Sequence, residues 1–286
     1  MLKKILRTLK QQLTTSTVLQ KQAQTSALCA RLLQEQLIQQ ILSETKYTDP
    51  RSIARFRKKV FSQFGQDGII SEILSRLNIQ TGTYIEVGVS PLESNTSYLA
   101  LLGWKGTWFD PSIAEDSHLP PYLQHQISSG RLKVVREYLN LQNTAALIQN
   151  HTPSQSVDVV SLDIDYNTHH LWSFFCALQT KLFVIEYNSH IFPPDDWSVP
   201  ADFNRSWQGD IIYGASLKKL ELMGREFGYS LVGCDIAGTD AFFVRNDLLS
   251  DQFQSPYTAE MHFEPPRFFL GNRVTGHPPA FPTFGF

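Results

Sequence analysis

The chain has 286 residues, of which 42% are hydrophobic and 18% are charged, and its formal net charge is −2. Its length suits one large domain or one domain with an extension, and its composition is that of a globular protein. The weak net charge argues against nucleic-acid binding, because phosphate backbones are bound by clustered Lys and Arg. Three widely spaced cysteines without a CxxC pair predict neither a disulfide framework nor a zinc site, which favours a reducing, cytoplasmic location.

Residues 1–48 differ from the rest of the chain and predict a helical extension. They contain neither Gly nor Pro, and apolar residues recur at helical spacing at Leu28, Leu32, Leu33, Leu37 and Ile41. We expect this amphipathic helix to pack on its own domain or to self-associate, with peripheral membrane contact through its basic start as the alternative. No run of eighteen apolar residues occurs, so we expect no transmembrane segment.

From residue 82 the sequence alternates between short apolar strands and helices, a pattern typical of βαβ units. The predicted strands cover residues 83–89, 106–109, 132–135, 157–164, 182–185, 229–234 and 240–245. The connection at 235–239 is too short for a crossover helix, so the last two strands must be antiparallel neighbours. The predicted fold is α/β, with a doubly wound, mainly parallel mixed sheet in residues 49–250 and a Pro/Phe-rich tail in 251–286.

Polar residues follow several of these strands at their carboxyl ends, where open α/β sheets bind their ligands. Gly88 follows Glu86 after the first strand and lets a ligand approach the backbone closely. Asp110 ends the second strand, where a carboxylate can accept both ribose hydroxyls of an adenosine. Asn95 lies at the start of the next predicted helix, whose N–H groups suit a carboxylate or a phosphate.

Two carboxylates, Asp163 and Asp165, end the fourth strand and point to the same face. Such a pair requires a cation, a hydrogen-bond donor or solvent nearby. Together with Glu186 and Asn188 after the next strand, they could form an oxygen-rich metal site. The spacing is loose, and we predict that no metal is bound.

Several motifs, in register along the chain, resemble a group of bacterial FkbM-like methyltransferases. The matching stretches are residues 62–70 (SQFGQDGII), 86–89 (EVGV), 95–96 (NT), 161–165 (SLDID), 185–188 (IEYN), 213–217 (YGASL), 233–234 (GC) and 241–245 (AFFVR). They span most of the chain except its two ends. The resemblance implies a seven-stranded, Rossmann-like fold, S-adenosylmethionine as cofactor, and O-methylation in surface-glycan or secondary-metabolite pathways.

The resemblance and the strand-end residues together suggest a role for each candidate. We expect Asp165 to be the general base for an acceptor hydroxyl, with Glu186 and Asn188 orienting that acceptor. A Pro-rich excursion at 191–210 is long enough to be a lid or substrate-binding insertion, and its Trp197 and Trp207 suit sugar rings. The residues predicted to bind the cofactor are Glu86, Gly88, Asn95, Asp110 and Asp163.

Two departures from the family pattern fall around the expected cofactor. Pro91 lies in a stretch that lacks the second glycine of the relatives, and proline removes a backbone donor. Tyr166 stands where relatives have glycine, and we expect it to fill part of the pocket. Both changes predict impaired cofactor binding. Two alternatives therefore stay open: a metal-dependent glycosyltransferase that uses the Asp-x-Asp triplet, and a non-catalytic scaffold that keeps the fold.

Overall fold

A computed structural model describes residues 2–152, 156–205 and 207–271, with side chains from Thr17 onward. The chain divides into two compact units, Met1–Thr48 and Asp49–Phe286. The first unit is the helix α1, Leu2–Leu42, followed by a short 3-10 turn, Thr45–Tyr47. The second unit contains the sheet.

Helix α1 is 41 residues long, which corresponds to about 60 Å. It forms because Leu and Gln, which favour helices, dominate its sequence and no Gly or Pro interrupts it. Leu28, Leu32 and Leu33, which belong to the predicted apolar stripe, are exposed. Self-association and membrane contact of this helix stay predictions. Among the described residues, no helix has the length and hydropathy needed to cross a bilayer.

The second unit alternates strands and helices. Its strands are β1 (Thr83–Val87), β2 (Lys105–Phe109), β3 (Leu132–Val135), β4 (Val159–Leu162), β5 (Leu182–Glu186), β6 (Tyr229–Cys234) and β7 (Asp240–Arg245). Its helices are α2 (Gln66–Arg76), α3 (Ser97–Leu101), α4 (Pro121–Ser128), α5 (Thr144–His151), α6 (Thr168–Cys176), α7 (Leu217–Phe227) and α8 (Ala259–His262).

The seven strands form one sheet in the order β3-β2-β1-β4-β5-β7-β6. Strands β1 to β5 are parallel, and β7 runs antiparallel between β5 and β6. The predicted mixed, mainly parallel sheet and its antiparallel last pair are confirmed. This is a Rossmann-like, doubly wound fold, with the order 3-2-1-4-5 in its parallel part.

Apolar cores lie on both faces of the sheet, because a parallel sheet is covered by helices on each side. On one face, Trp172 of α6 packs edge-to-face and tilted against a group of aromatic rings, with its centroid 4.8 Å from that of Phe243. On the other face, Ile69, Ile70 and Ile73 of α2 belong to a second buried cluster. The two cores fix the central strands and hence the edge where they end.

Part of the predicted tail belongs to the fold. Residues 251–271 include α8, and Ala259 in that helix is fully buried. The Tyr187 hydroxyl donates to the carbonyl of Glu264 at 2.7 Å, which ties this segment to the end of β5. The remainder of the tail, 272–286, lies outside the described residues. Helix α4, which the strand-and-helix pattern did not predict, begins at Pro121, a residue favoured in a first helical turn.

Candidate active site

A cavity of about 460 Å³ opens at the carboxyl ends of β1, β2, β3 and β4. The strand order reverses between β1 and β4, and such a switch point is where doubly wound sheets bind ligands. The volume lies in the range of small-molecule and cofactor sites. Four predicted site residues line it, namely Gly88, Asp110, Asp163 and Asp165.

Gly88 joins the ends of β1 and β4. Its φ is +78°, a left-handed conformation that favours glycine. An added Cβ would lie only 1.5 Å from the carbonyl oxygen of Asp163. Glycine is therefore required here both by the backbone conformation and by the close approach of the neighbouring strand.

Asp110 lines the cavity, and most of its carboxylate is already engaged. Oδ1 accepts from the backbone N–H and the hydroxyl of Ser112, at 2.7 and 2.6 Å. Oδ2 accepts from the backbone N–H of Val89 at 2.8 Å. Because each oxygen has about two acceptor positions, Oδ2 keeps one for a ligand. The geometry suits one ribose hydroxyl rather than the two predicted.

Three carboxyl groups converge at the ends of β4 and β5. Asp163, Asp165 and Glu186 each offer an oxygen within 4.8 Å of the others. Glu186 is buried, and desolvation together with the nearby charge of Asp165 raises its pKa well above the usual range. A hydrogen bond with the Asp163 carboxyl and one from the Thr168 hydroxyl, at 3.5 Å, oppose that rise.

The same three groups could hold a hard divalent cation, since oxygen ligands are what Mg²⁺ and Ca²⁺ prefer. Asp165 also has a left-handed backbone, with φ +56°, which Asp tolerates better than most residues. The prediction that no metal is bound stays a prediction. Glu186 does not line the cavity itself, so we place it behind Asp163 and Asp165 rather than against an acceptor.

Glu86 and Asn95 lie beside the cavity without lining it. The Glu86 carboxylate accepts from the backbone N–H groups of Asn95 and Thr96, at 2.8 and 3.1 Å, and from the hydroxyls of Ser94 and Thr96. Burial raises the pKa of Glu86, and these four hydrogen bonds counteract the rise. The expectation that N–H groups at this helix start would meet a ligand is wrong, because Glu86 takes those of Asn95 and Thr96.

The predicted substrate residues are placed elsewhere. Asn188 is buried, and its amide donates to the carbonyls of Ile211 and Tyr213 while accepting from the backbone N–H of His190. It anchors the two ends of the insertion, and both of its N–H donors are used by these carbonyls, so neither is left to orient an acceptor.

The two tryptophans of the insertion do not line the cavity. The Trp207 indole donates to the carbonyl of Asp210 at 2.7 Å, and the Trp197 backbone pairs with Ser216. The insertion contributes Phe203 and Arg205 to the cavity wall in their place. Sequence reasoning missed both, because an irregular segment has no periodicity that would show which side chains turn inward.

The two departures from the family pattern do not fill the cavity. Neither Pro91 nor Tyr166 lines it. Tyr166 is buried, and the guanidinium of Arg205 lies over its ring, 4.7 Å from the ring centroid. The expectation that Tyr166 would occupy the pocket is therefore wrong, since its side chain supports the insertion instead.

The 62–70 motif has a structural explanation next to the site. The Asp67 carboxylate accepts from the backbone N–H groups of residues 60–62, which closes the loop before α2. The Gln66 amide then reaches Asp240 of β7 at 2.6 Å. At Gly68, an added Cβ would lie 2.2 Å from the carbonyl oxygen of Phe56. The motif thus holds α2 against the sheet and does not enter the cavity.

No protein-family model and no curated protein matches the chain. Among solved structures, the chain is similar to the MycE methyltransferase from the mycinamycin biosynthetic pathway, in complex with Mg and SAH. The two are 19% identical with a TM-score of 0.28, over 64% of this chain and 53% of that one. The chain spans about half the length of MycE, and a likeness at this level assigns neither site residues nor a reaction. The resemblance to FkbM-like proteins stays a prediction.

Proposed function

We propose that the chain is an S-adenosylmethionine-dependent O-methyltransferase that acts on a sugar hydroxyl of a surface glycan or a related metabolite. The observation that carries the proposal is the open cavity at the switch point, lined by Gly88, Asp110 and Asp165 from three neighbouring strand ends. The sheet order, with its antiparallel β7, supports the same reaction class.

The residues present suit the cofactor. Gly88 allows its backbone to be approached closely, and Asp110 keeps one acceptor position for a ribose hydroxyl. The cofactor supplies an already activated methyl group. The remaining task of the protein is to hold donor and acceptor in line and to remove the hydroxyl proton.

Asp165 is the residue we assign to proton removal. It lines the cavity, whereas Glu186 lies behind it and has a strongly raised pKa. Burial and the neighbouring charge of Asp165 both favour the protonated form of Glu186. A protonated Glu186 is then a positioning residue that places no second negative charge beside Asp165, the residue we assign to accept the proton.

The first test is calorimetric titration with S-adenosylhomocysteine without added metal. We expect micromolar binding to the wild type, and loss of that binding in Ser90→Trp, which fills the cavity from an exposed lining position. Ser75→Trp, at an exposed position on α2 outside the cavity, is the matched control and should bind normally. Wild-type protein that binds no S-adenosylhomocysteine would refute the proposal.

The base is tested with Asp165→Asn, because Asn also tolerates a left-handed backbone and the change removes only the charge. Methylation of a panel of sugars is followed by mass spectrometry. We expect turnover to fall by about 10²- to 10⁴-fold while S-adenosylhomocysteine affinity stays unchanged. Unchanged turnover would transfer the role of base to another group.

A second candidate function rests on the convergence of Asp163, Asp165 and Glu186. An Asp-x-Asp pair with a third carboxylate suits a divalent cation that holds the pyrophosphate of a nucleotide sugar. Manganese-dependent binding of a nucleotide sugar, without binding of S-adenosylhomocysteine, would favour this glycosyltransferase. Binding of neither ligand would favour the non-catalytic scaffold.

A further inference from the structure

Among the charged residues that line the cavity, four are acids and one is a cation. Asp110, Glu137, Asp163 and Asp165 contribute carboxyl groups to the wall. Arg205, from the insertion between β5 and α7, is the one Lys or Arg among the described residues of the lining. A single guanidinium among four acidic residues requires an explanation, because a ligand bound in this cavity would contact it.

Arg205 is held in place without its hydrogen-bond donors being used. Its guanidinium lies over the Tyr166 ring, 4.7 Å from the centroid, a cation–π geometry. The closest carboxylate oxygen, on Asp210, is 3.7 Å away, which is too long for a hydrogen bond. Within the described part of the chain, the Arg205 side chain makes no hydrogen bond, so its five N–H donors remain available to a ligand.

The backbone beneath Arg205 is anchored to the site by the residue after Tyr166. The Asn167 amide donates to the carbonyl of Asp202 at 2.9 Å and accepts from the N–H of the same residue at 3.0 Å. The Arg205 N–H in turn donates to that carbonyl at 3.1 Å. Adjacent residues at the end of β4 therefore fix both the main chain and the side chain of the segment.

The other anion-binding groups expected in this fold are already used. The backbone N–H groups of Asn95, Thr96 and Ser97 donate to Glu86 and Ser94. These were the donors predicted to meet a carboxylate or phosphate. Arg205 is left as the group of the cavity wall best suited to an anion.

We infer that Arg205 is the anion-binding residue of the cavity and receives a carboxylate or phosphate of a bound ligand. The planar guanidinium fork matches both groups in a bidentate manner. The inference rests on the proposed function, which supplies two sources of such an anion. One is the carboxylate of the amino-acid portion of the cofactor, and the other is an acidic group on the acceptor, such as a uronate or a sugar phosphate.

The experiment compares wild type with Arg205→Ala and Arg205→Lys, and with Arg131→Ala, an exposed arginine outside the cavity, as matched control. S-adenosylhomocysteine and adenosine, which lacks the amino-acid portion, are titrated separately. If the cofactor is the source, Arg205→Ala weakens S-adenosylhomocysteine binding at least about tenfold and leaves adenosine binding unchanged. Arg205→Lys recovers part of the loss, because a point charge replaces the fork.

If the acceptor is the source, S-adenosylhomocysteine binds all variants equally. Glucuronate and inorganic phosphate are then titrated against the protein saturated with S-adenosylhomocysteine. Wild type and Arg131→Ala bind one of these anions, and Arg205→Ala does not. The inference is overturned if Arg205→Ala changes neither S-adenosylhomocysteine affinity nor the binding of either anion.

The support from Tyr166 gives a second, independent readout. Tyr166→Phe keeps the aromatic ring beneath Arg205 and should bind the anion like wild type. Tyr166→Leu removes that ring while Arg205 stays in place, and this variant should bind the anion more weakly. Failure of the anion site at Arg205 can be distinguished from failure of the proposed methyltransferase function. Wild type that binds neither S-adenosylhomocysteine nor adenosine, yet gains thermal stability from phosphate through Arg205, would uphold the anion site alone.

Discussion

The carboxyl ends of β1 and of β5 each hold a buried glutamate, and the two glutamates are treated differently. Glu86 in β1 accepts four hydrogen bonds from residues 94–96. Glu186 in β5 instead faces other acids, and the charges of Asp165 and Asp240 add to burial in raising its pKa. A glutamate thus stabilises the loop at the β1 edge, whereas a glutamate at the β4–β5 edge lies close to several other carboxyl groups.

This difference distinguishes a glutamate that supports the fold from one that belongs to the site. A carboxylate whose hydrogen bonds are all satisfied by its own chain contributes to stability and has little left for a ligand. A carboxyl group held near like charges reduces stability and persists where it has a use, which is why strongly shifted pKa values cluster at functional sites. Glu86 at the β1 edge is accordingly assigned to support, and we propose that the carboxyl groups at the β4–β5 edge form the reactive side of the cavity.

The largest effect is expected where the two edges meet, at Gly88. Gly88→Ala places a Cβ 1.5 Å from the Asp163 carbonyl oxygen and imposes φ +78° on a non-glycine residue. We expect the free energy of unfolding to fall by about 4 kcal/mol or more, as measured by urea denaturation. Failure to fold would agree with this expectation, and a loss below about 1 kcal/mol would contradict it.

Gly103→Ala is the control that isolates the backbone conformation. Gly103 has φ +89°, and nothing lies within 4 Å of an added Cβ. Its substitution should cost only the left-handed penalty of about 1–2 kcal/mol. The difference between the two variants measures the close approach of β1 and β4 rather than the conformation of glycine.

The two glutamates give the next largest contrast. In Glu86→Gln, an NH₂ group replaces one oxygen that accepts from a backbone N–H, so we expect a loss of about 1–3 kcal/mol. In Glu186→Gln, the amide can still donate to Asp163 and a shifted carboxyl group is removed, so stability should stay equal or increase. Urea denaturation at neutral pH checks both. Equal losses in the two variants would mean that both edges are scaffold.

The sheet and the position of the cavity could be predicted because they depend on local patterns. Apolar runs that end in Gly88, Asp110 and Asp163 indicate buried parallel strands and the edge where ligands bind. The position of β7 between β5 and β6 did not follow, since the short connection fixes only that β6 and β7 are antiparallel neighbours. The pairing of β7 with β5 depends on contacts between distant parts of the chain, which local sequence patterns do not indicate.

The roles of single side chains were less predictable for the same reason. Asn188 ends a strand beside the site just as Asp165 does, yet its amide is taken by carbonyls more than twenty residues away. Tyr166 lies at the edge of the sheet where the site was predicted, but whether its side chain fills the cavity or supports Arg205 depends on the path of the insertion. Sequence position locates a residue at the edge, and its hydrogen-bond partners decide what it does there.

The pH dependence of stability sharpens the contrast between the glutamates. The pKa of Glu186 is raised in the folded protein above its ordinary value of 4.5, so the folded state binds a proton that the unfolded state has released. Stability contributed by this group is present below about pH 4.5 and is lost as the pH rises through the folded pKa.

The comparison is made between wild type and Glu186→Gln by urea denaturation from about pH 5 to pH 8, in EDTA so that no cation compensates the charge. Relative to the variant, wild type should lose up to about 1.4 kcal/mol per pH unit over the range in which folded Glu186 keeps a proton that the unfolded state has released. A difference that stays constant across this range would show that Glu186 is ionised in both states.

The smallest expected effect concerns the stacking of Arg205 on Tyr166. If the β4–β5 edge serves ligand binding rather than stability, this contact should contribute little to folding. A double-mutant cycle with Tyr166→Leu and Arg205→Ala should give a coupling energy of about 0.5–1 kcal/mol in the free protein, the size of a partly exposed cation–π contact. The same cycle measured on ligand affinity should show a larger coupling, because the ring positions a guanidinium that the ligand binds. A coupling energy well above 2 kcal/mol in stability, with no coupling in ligand affinity, would contradict this expectation. The contact between Tyr166 and Arg205 would then support the fold as Glu86 does, and the distinction between the β1 edge and the β4–β5 edge would be lost.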